Sequence, residues 1–297
     1  MDRSVFAIVT GLAALAVACG GGDSAAPTAT ATLAPSAPAT STTSTPTPSP
    51  RPSDTPTATE VPPTPTQPPA TSTATTAPNG NVAQPGVYEH GDRGSNMVAL
   101  TFDMGGRVDP ALDIMQFLID NQVPATIFMT GAIVETQNTD AGRQVLDIVC
   151  NRSDLFEPAN HSYSHPDFRE LTNADMEEEL ATTETAMLAR CPTTPRPVFR
   201  PPFGGINASV AADLDTLGYG YVIMWDVDTI DWRPESEGGP TAAAITSKVL
   251  ANARGGTIVL MHLGGYNTLD ALPAMVQGLR DAGFELVTVR TMLGLPR

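Results

Sequence analysis

The sequence predicts an α/β fold built on a parallel sheet. Between Met97 and Val289, short apolar runs alternate with helical patterns about seven times, as strands joined by crossover helices do. Residues that carry chemistry follow these runs at their C-terminal ends: Asp103, His161, Arg200, Asp228 with Asp231, and His262. In a β/α barrel those ends share one face, and barrel proteins keep their sites there. No glycine-rich dinucleotide fingerprint follows the first run.

The elements read in order as follows. Met97 to Phe102 is a buried strand that stops at Asp103. Asp109-Pro110 has the form of an N-cap with proline at the first helical position, and the helix after it has Leu112, Met115, Phe117, Leu118 and Ile119 apolar. Ala125 to Met129 is a strand, Ala141 to Val149 a helix, and Glu157 to Asn160 a strand leading to His161. An amphipathic helix over 173–189 precedes the short strand Val198 to Phe199. Ala208 to Leu217 is a helix stopped by Gly218, and Tyr221 to Val227 is a strand. Thr241 to Ala253, Thr257 to Met261, Leu269 to Asp281 and Phe284 to Val289 read as helix, strand, helix and last strand.

This domain, 84–297, is preceded by two segments of other character. Residues 1–19 read as an export signal: Arg3, then an apolar run from Val5 to Val17 that is too short to span a bilayer. The run ends in Ala-Val-Ala-Cys19-Gly, which resembles a bacterial lipoprotein cleavage box; the alternative is an ordinary signal peptide. Residues 20–83 are Thr, Pro, Ser and Ala with almost no large apolar side chain. Such a stretch cannot offset its conformational entropy by burial and reads as a disordered tether, reaching at most roughly 190 Å if fully extended. The chain carries a net charge of −16, of which the residues before Gln84 contribute −2, leaving −14 in the domain, with Lys248 its one lysine. That surface excludes a nucleic-acid partner, whose affinity rests on basic contacts. A lipid-anchored, extracytoplasmic monomer is the expectation.

His161-Ser-Tyr-Ser-His165 places two of the four histidines four residues apart. On a helical turn that spacing brings both imidazoles to one side, where they can ligate a zinc-like ion. Pro166 biases His165 away from further helix, so the turn should be short and sit at a strand end. Two ligands alone do not make a metal site, so the remaining strand-end residues decide the matter.

Those residues form five ordered words: Thr101-Phe102-Asp103, His161-Ser-Tyr-Ser-His165, Arg200-Pro-Pro-Phe203, Asp228-Thr-Ile-Asp231-Trp232 and Leu260-Met-His262. In this order they resemble the polysaccharide deacetylase (NodB-homology) family, carbohydrate esterase family four. The resemblance implies a deformed (β/α)7, TIM-like barrel. It implies an exported, metal-dependent hydrolase that removes N-acetyl groups from amino sugars of a cell-wall or extracellular polysaccharide, peptidoglycan or chitin-like. The cofactor it implies is a divalent cation, zinc by the ligand type, on His161 and His165.

By the same resemblance Asp103 is the general base, and Arg200 keeps it ionised. His262 is the general acid, and Asp231 orients it and raises its pKa. The backbone N–H of Phe203 stabilises the oxyanion, and Leu260 and Trp232 wall a slot for the acetyl methyl. Ser162 ties the histidine loop together. One position departs from the pattern: Met104 stands where the family has an aspartate, its third metal ligand. A thioether is a poor ligand for a hard or borderline ion, so weaker metal binding is expected, with Asp109 or Asp103 as replacement ligands. The departure opens an alternative, a glycan-binding domain without turnover; a non-sugar amide is a third possibility for the substrate. Cys150 and Cys191 each follow a helix and fall at the face opposite the site, as a disulfide in an oxidising compartment or as two buried thiols. His90 has no assigned role.

Overall fold

The computed structural model describes residues 82–296. The expected export signal, its Cys19 box and all but the last two residues of the tether lie outside the described residues. Of those two, Val82 is exposed, whereas Ala83 is buried and donates its N–H to the Leu293 carbonyl at 2.9 Å. No helix among the described residues is long and apolar enough to cross a membrane.

The elements run β1 (Gly86–Tyr88), β2 (Met97–Met104), α1 (Ala111–Asp120), β3 (Ala125–Met129), α2 (Gly131–Glu135), α3 (Thr139–Asn151), β4 (Phe156–Asn160) and α4 (Asn173–Leu188). They continue with β5 (Val198–Phe199), α5 (Ala208–Thr216), β6 (Tyr221–Ile223), β7 (Val227–Asp228), α6 (Ala242–Asn252), β8 (Thr257–His262), α7 (Thr268–Asp281), β9 (Glu285–Leu286) and α8 (Val289–Met292). The strands pair in parallel in the order β1-β6-β5-β4-β3-β2-β8-β7, with β9 beside the start of β2. This parallel, incompletely closed barrel with helices around it is the deformed (β/α)7 architecture that the sequence implies.

Side-chain alternation along β2 sets the two layers. Val98, Leu100, Phe102 and Met104 join the core beneath the helices, with Ile114, Leu118, Val134 and Met275. Ala99 joins a second cluster of Phe128, Ala159, Ile223, Ile258 and Met292. Thr101 and Asp103 follow Ala99 in the same alternation, and both are buried.

Three expected elements differ. The run from Tyr221 to Val227 is two strands, because the chain changes neighbours within it. Met224 N–H donates to the Tyr88 carbonyl at 2.8 Å, and Asp226 N–H to the Ile258 carbonyl at 3.2 Å. The last strand is only Glu285–Leu286; Thr288 then caps α8 by accepting from Thr291 N–H. Asp109 caps nothing, since α1 begins at Ala111 with no side-chain cap. β1 and α2, too short to show a period, were not visible in the sequence.

Cys150 and Cys191 form a disulfide between the end of α3 and the residues after α4, with Cα atoms 5.6 Å apart. The bridge closes a loop that contains His161 and His165, spanning a sequence separation of 41. By loop-closure entropy it should contribute about 2–4 kcal/mol. Reduction should therefore lower the thermal midpoint by roughly 5–15 °C, the sensitivity expected of a domain this size. A melt unchanged by a strong reductant would show that the bridge does not constrain the unfolded chain.

Candidate active site

Asp103 stands near the C-terminal end of β2, opposite Phe128 on β3 and His262 on β8 in the strand register. Arg200, just past β5, is completely buried and reaches it: Nη1 donates to Asp103 Oδ1 at 2.7 Å. The guanidinium is held by four further contacts. Nε donates to the Ile223 carbonyl, Nη2 to Thr101 Oγ1 and to the Met224 carbonyl, and the group lies 4.1 Å from the Phe128 ring centroid. Burial alone would raise the Asp103 pKa, but Arg200, His161 and His262 hold it below the ordinary carboxylate value. Asp103 is thus a buried anion at neutral pH.

The histidine loop follows β4. It is not the helical turn that the spacing suggests: Ser162 and His165 both adopt left-handed backbone, with φ of 68° and 66°. Such angles are unfavourable for these residues and persist where surrounding bonds fix them. Ser162 N–H donates to Asn160 Oδ1, and His165 N–H to Ser162 Oγ, the tie expected of that serine. The carbonyls of Ser162 and Tyr163 accept from Gly131 and Ala132 at the start of α2. The imidazoles still meet, edge to face, with centroids 4.9 Å apart.

Both rings are neutral at physiological pH. Burial pushes His161 below its ordinary value despite the pull of Asp103, and burial with the neighbouring His161 lowers His165 to about 4. His161 Nδ1 faces the Arg200 carbonyl oxygen at 2.8 Å, and a carbonyl only accepts, so Nδ1 carries the proton. Nε2 then presents a lone pair 3.5 Å from Asp103 Oδ2. Two acceptors at that range repel unless a proton or a cation lies between them, and burial disfavours the proton. The donor set fits a divalent cation held by His161 and His165 beside Asp103.

The third family ligand has no counterpart. Met104 is fully buried in the layer beneath the helices, on the strand face opposite Asp103. Asp109 does not replace it: its side chain is 88% exposed and pairs with Arg107 at 3.2 Å. Among the described residues no group of three or more His, Cys, Asp or Glu is placed to hold an ion. A cavity of about 220 Å³ opens beside His165, lined by Gly105, Gly106, Thr130, Gln137 and Ser164 among others.

On the other side of Asp103 lies the His262 pair. His262 Nδ1 donates to Asp231 Oδ1 at 2.7 Å, which leaves Nε2 as the free ring nitrogen. Asp231 is fully buried, and its Oδ2 accepts from His262 N–H at 2.9 Å and from Thr268 Oγ1 at 2.6 Å. Ile230, at φ 59°, makes the turn between β7 and Asp231. Burial would lower the His262 pKa, but the Asp231 hydrogen bond and charge, with Asp103 and Asp228, raise it above the ordinary value.

Phe203, at φ 58°, packs edge-on against His165 with centroids 4.6 Å apart, and its side chain is 70% exposed. Trp232 is exposed next to Asp231 and has the Arg233 guanidinium over its ring, while Leu260 is buried on β8 two residues before His262. The structure brings Asp103, Arg200, His161, His165, Phe203, Asp231 and His262 to one end of the barrel. Thr101, named in the first motif but given no role of its own, supports Arg200, and Thr268, not singled out at all, supports Asp231. Thr101's inward position on β2 could have signalled it; Thr268 comes from the next helix and carries no local sign.

Fold and site together define a parallel β/α barrel with a carboxylate-and-imidazole centre at the C-terminal ends of its strands. The family model for polysaccharide deacetylase matches residues 90–222. The chain is 30% identical over 200 residues to the peptidoglycan-N-acetylglucosamine deacetylase PgdA of Listeria monocytogenes, covering 66% of this chain and 39% of that one. It spans about two fifths of the length of that relative. It is 31% identical over 208 residues to a chitooligosaccharide deacetylase of Bradyrhizobium sp., covering 65% of this chain and 89% of that one. Among solved structures it is similar to a CE4 family pseudoenzyme from Bacillus anthracis, with a TM-score of 0.62, 27% identity and coverage of 71% and 69%. A mutant of that pseudoenzyme with restored enzymatic activity matches with a TM-score of 0.60, 28% identity and coverage of 71% and 72%. The chain belongs to the polysaccharide deacetylase (NodB-homology) family, carbohydrate esterase family four.

Proposed function

We propose that this protein is an exported, lipid-anchored, metal-dependent N-deacetylase acting on amino sugars of a cell-wall or extracellular polysaccharide. The observation that carries the reading is the triad of acceptors and donors around Asp103: a carboxylate kept ionised by buried Arg200, with the neutral His161 lone pair 3.5 Å from its second oxygen. A divalent cation on His161 and His165, zinc by the ligand type, would polarise the scissile carbonyl and acidify the attacking water.

The protein's own groups supply the remaining chemistry. Asp103 takes the water proton, and Arg200 keeps it able to do so. Phe203, whose ring packs against His165, would offer its backbone N–H to the developing oxyanion. His262, held through Nδ1–H by Asp231 and kept as the imidazolium below its raised pKa, hands its Nε2 proton to the leaving amine and becomes neutral. Leu260 and Trp232 flank the acetyl methyl. Acetate and the free amine leave. Acetate release from N-acetylglucosamine oligomers, lost on chelation and recovered with zinc, tests the reading; oligomer binding with no acetate at any metal concentration would replace it.

That second outcome is the alternative of a tethered glycan-binding domain. Two observations favour it: Met104 faces away from the site, and the fold is similar to a pseudoenzyme of the same family.

The pH profile follows from the two shifted groups. Asp103 is depressed, so the acid limb of kcat/KM should lie below the ordinary carboxylate range. His262 is raised, so its protonated form, and the stability gained from the Asp231 pair, are complete below the ordinary histidine value and are lost as pH rises through the elevated one. Asp231→Asn should move the alkaline limb to lower pH and reduce kcat, and an unmoved limb would exclude His262 as the acid.

A further inference from the structure

We infer that Glu179, on α4, is a positioning residue for the His165 ligand. The inference rests on the proposed metal seat. The five consecutive amides of the histidine loop account for themselves as follows. His161 N–H donates to the Met129 carbonyl, Ser162 N–H to Asn160 Oδ1, and His165 N–H to Ser162 Oγ. The two in the middle, Tyr163 and Ser164, both donate to Glu179 Oε2, at 2.7 and 2.8 Å. Ser164 Oγ donates to the other oxygen at 2.6 Å. One carboxylate thus gathers three donors from the segment between the two left-handed residues, Ser162 and His165.

The geometry says why a carboxylate is needed. The turn points two adjacent N–H groups at one oxygen on α4. A single anionic acceptor satisfies both and sets the angle at which His165 leaves the turn. Glu179 is itself fixed by α4, where Thr183 Oγ1 bonds its carbonyl at 2.8 Å. The packing is tight: a Cβ on Gly131 would lie 2.4 Å from Tyr163 and 2.9 Å from the Thr183 Cα, so α2, the loop and α4 meet without slack. His161 needs no such support, because the Arg200 carbonyl fixes its ring directly. With two imidazoles and no third family ligand, His165 orientation decides how tightly the ion is held. Ser164 is exposed, so water can solvate the loop amides when Glu179 is removed, and the fold should survive.

The test compares zinc dissociation constants of the full chain as wild type, Glu179→Ala, Glu179→Gln and Glu178→Ala, with amide hydrogen exchange at Tyr163 and Ser164 in the zinc-free proteins. Glu179→Ala should bind zinc about 10- to 100-fold more weakly, the usual effect of losing an outer-shell partner, and should lose protection at both amides. Glu179→Gln, which can accept from both amides and still meet the serine hydroxyl, should restore most of both. Glu178→Ala should match wild type. Equal zinc affinity in wild type and Glu179→Ala overturns the positioning role and leaves the deacetylase reading standing. A wild type that binds no zinc sinks the metal seat, and the positioning role with it.

Discussion

Asp103→Asn should lower acetate release by roughly 10²- to 10⁴-fold, the span that general-base catalysis supplies. The amide keeps the shape of the carboxylate, and its oxygen can still accept from Arg200 Nη1, now 2.7 Å from Asp103 Oδ1. What it cannot do is take a proton. Loss of activity at retained fold therefore isolates the base. Asp103→Ala is the poorer probe, because it strands a completely buried guanidinium, and breaking such a pair costs about 3–5 kcal/mol. Circular dichroism and a thermal melt of the Asn variant, beside the acetate assay, separate the two causes. Near-wild-type release by Asp103→Asn would remove Asp103 from the mechanism.

Met104→Asp should tighten zinc binding by at least about 10- to 100-fold, since changes in outer-shell partners alone are worth that much and a direct ligand is worth more. The thioether lies in the apolar layer beneath the helices, where a carboxylate would be costly. Gly105 and Gly106 follow it, and the cavity of about 220 Å³ beside His165 lies against them. Gly106 has open space around it, and a backbone shift there would let the introduced carboxylate leave the apolar layer and reach the ion. The zinc-free variant should be less stable than wild type and the zinc-loaded one more stable, because a ligand that binds only the folded state stabilises it. If Met104→Asp also raises acetate release, wild type is held back by its metal affinity. Unchanged zinc affinity would mean that position 104 cannot reach the seat at all.

Much of this site was legible because barrel chemistry sits at strand ends. Asp103, His161, Arg200 and His262 each follow an apolar run, and the parallel sheet brings those ends together. Local geometry was harder to read. His161 and His165 do meet, but through two left-handed residues that only tertiary hydrogen bonds make tolerable. Asp109 looked like a cap and a spare ligand; it is a solvated partner of Arg107. The break between β6 and β7 arises from a change of sheet neighbour, and its one mark in the sequence is Asp226, whose carboxylate accepts from Ile258 N–H at the crossing. Glu179 was not legible: it lies on an acidic helix face, and the loop amides it accepts from are 15 residues away.

The proposed mechanism requires a cation between the paired imidazoles and Asp103. Anomalous diffraction from zinc-soaked crystals tests it most directly. One peak should appear about 2 Å from ring nitrogens of both His161 and His165, on the Asp103 side of the cleft. A peak elsewhere, or none there at saturating zinc, would contradict it.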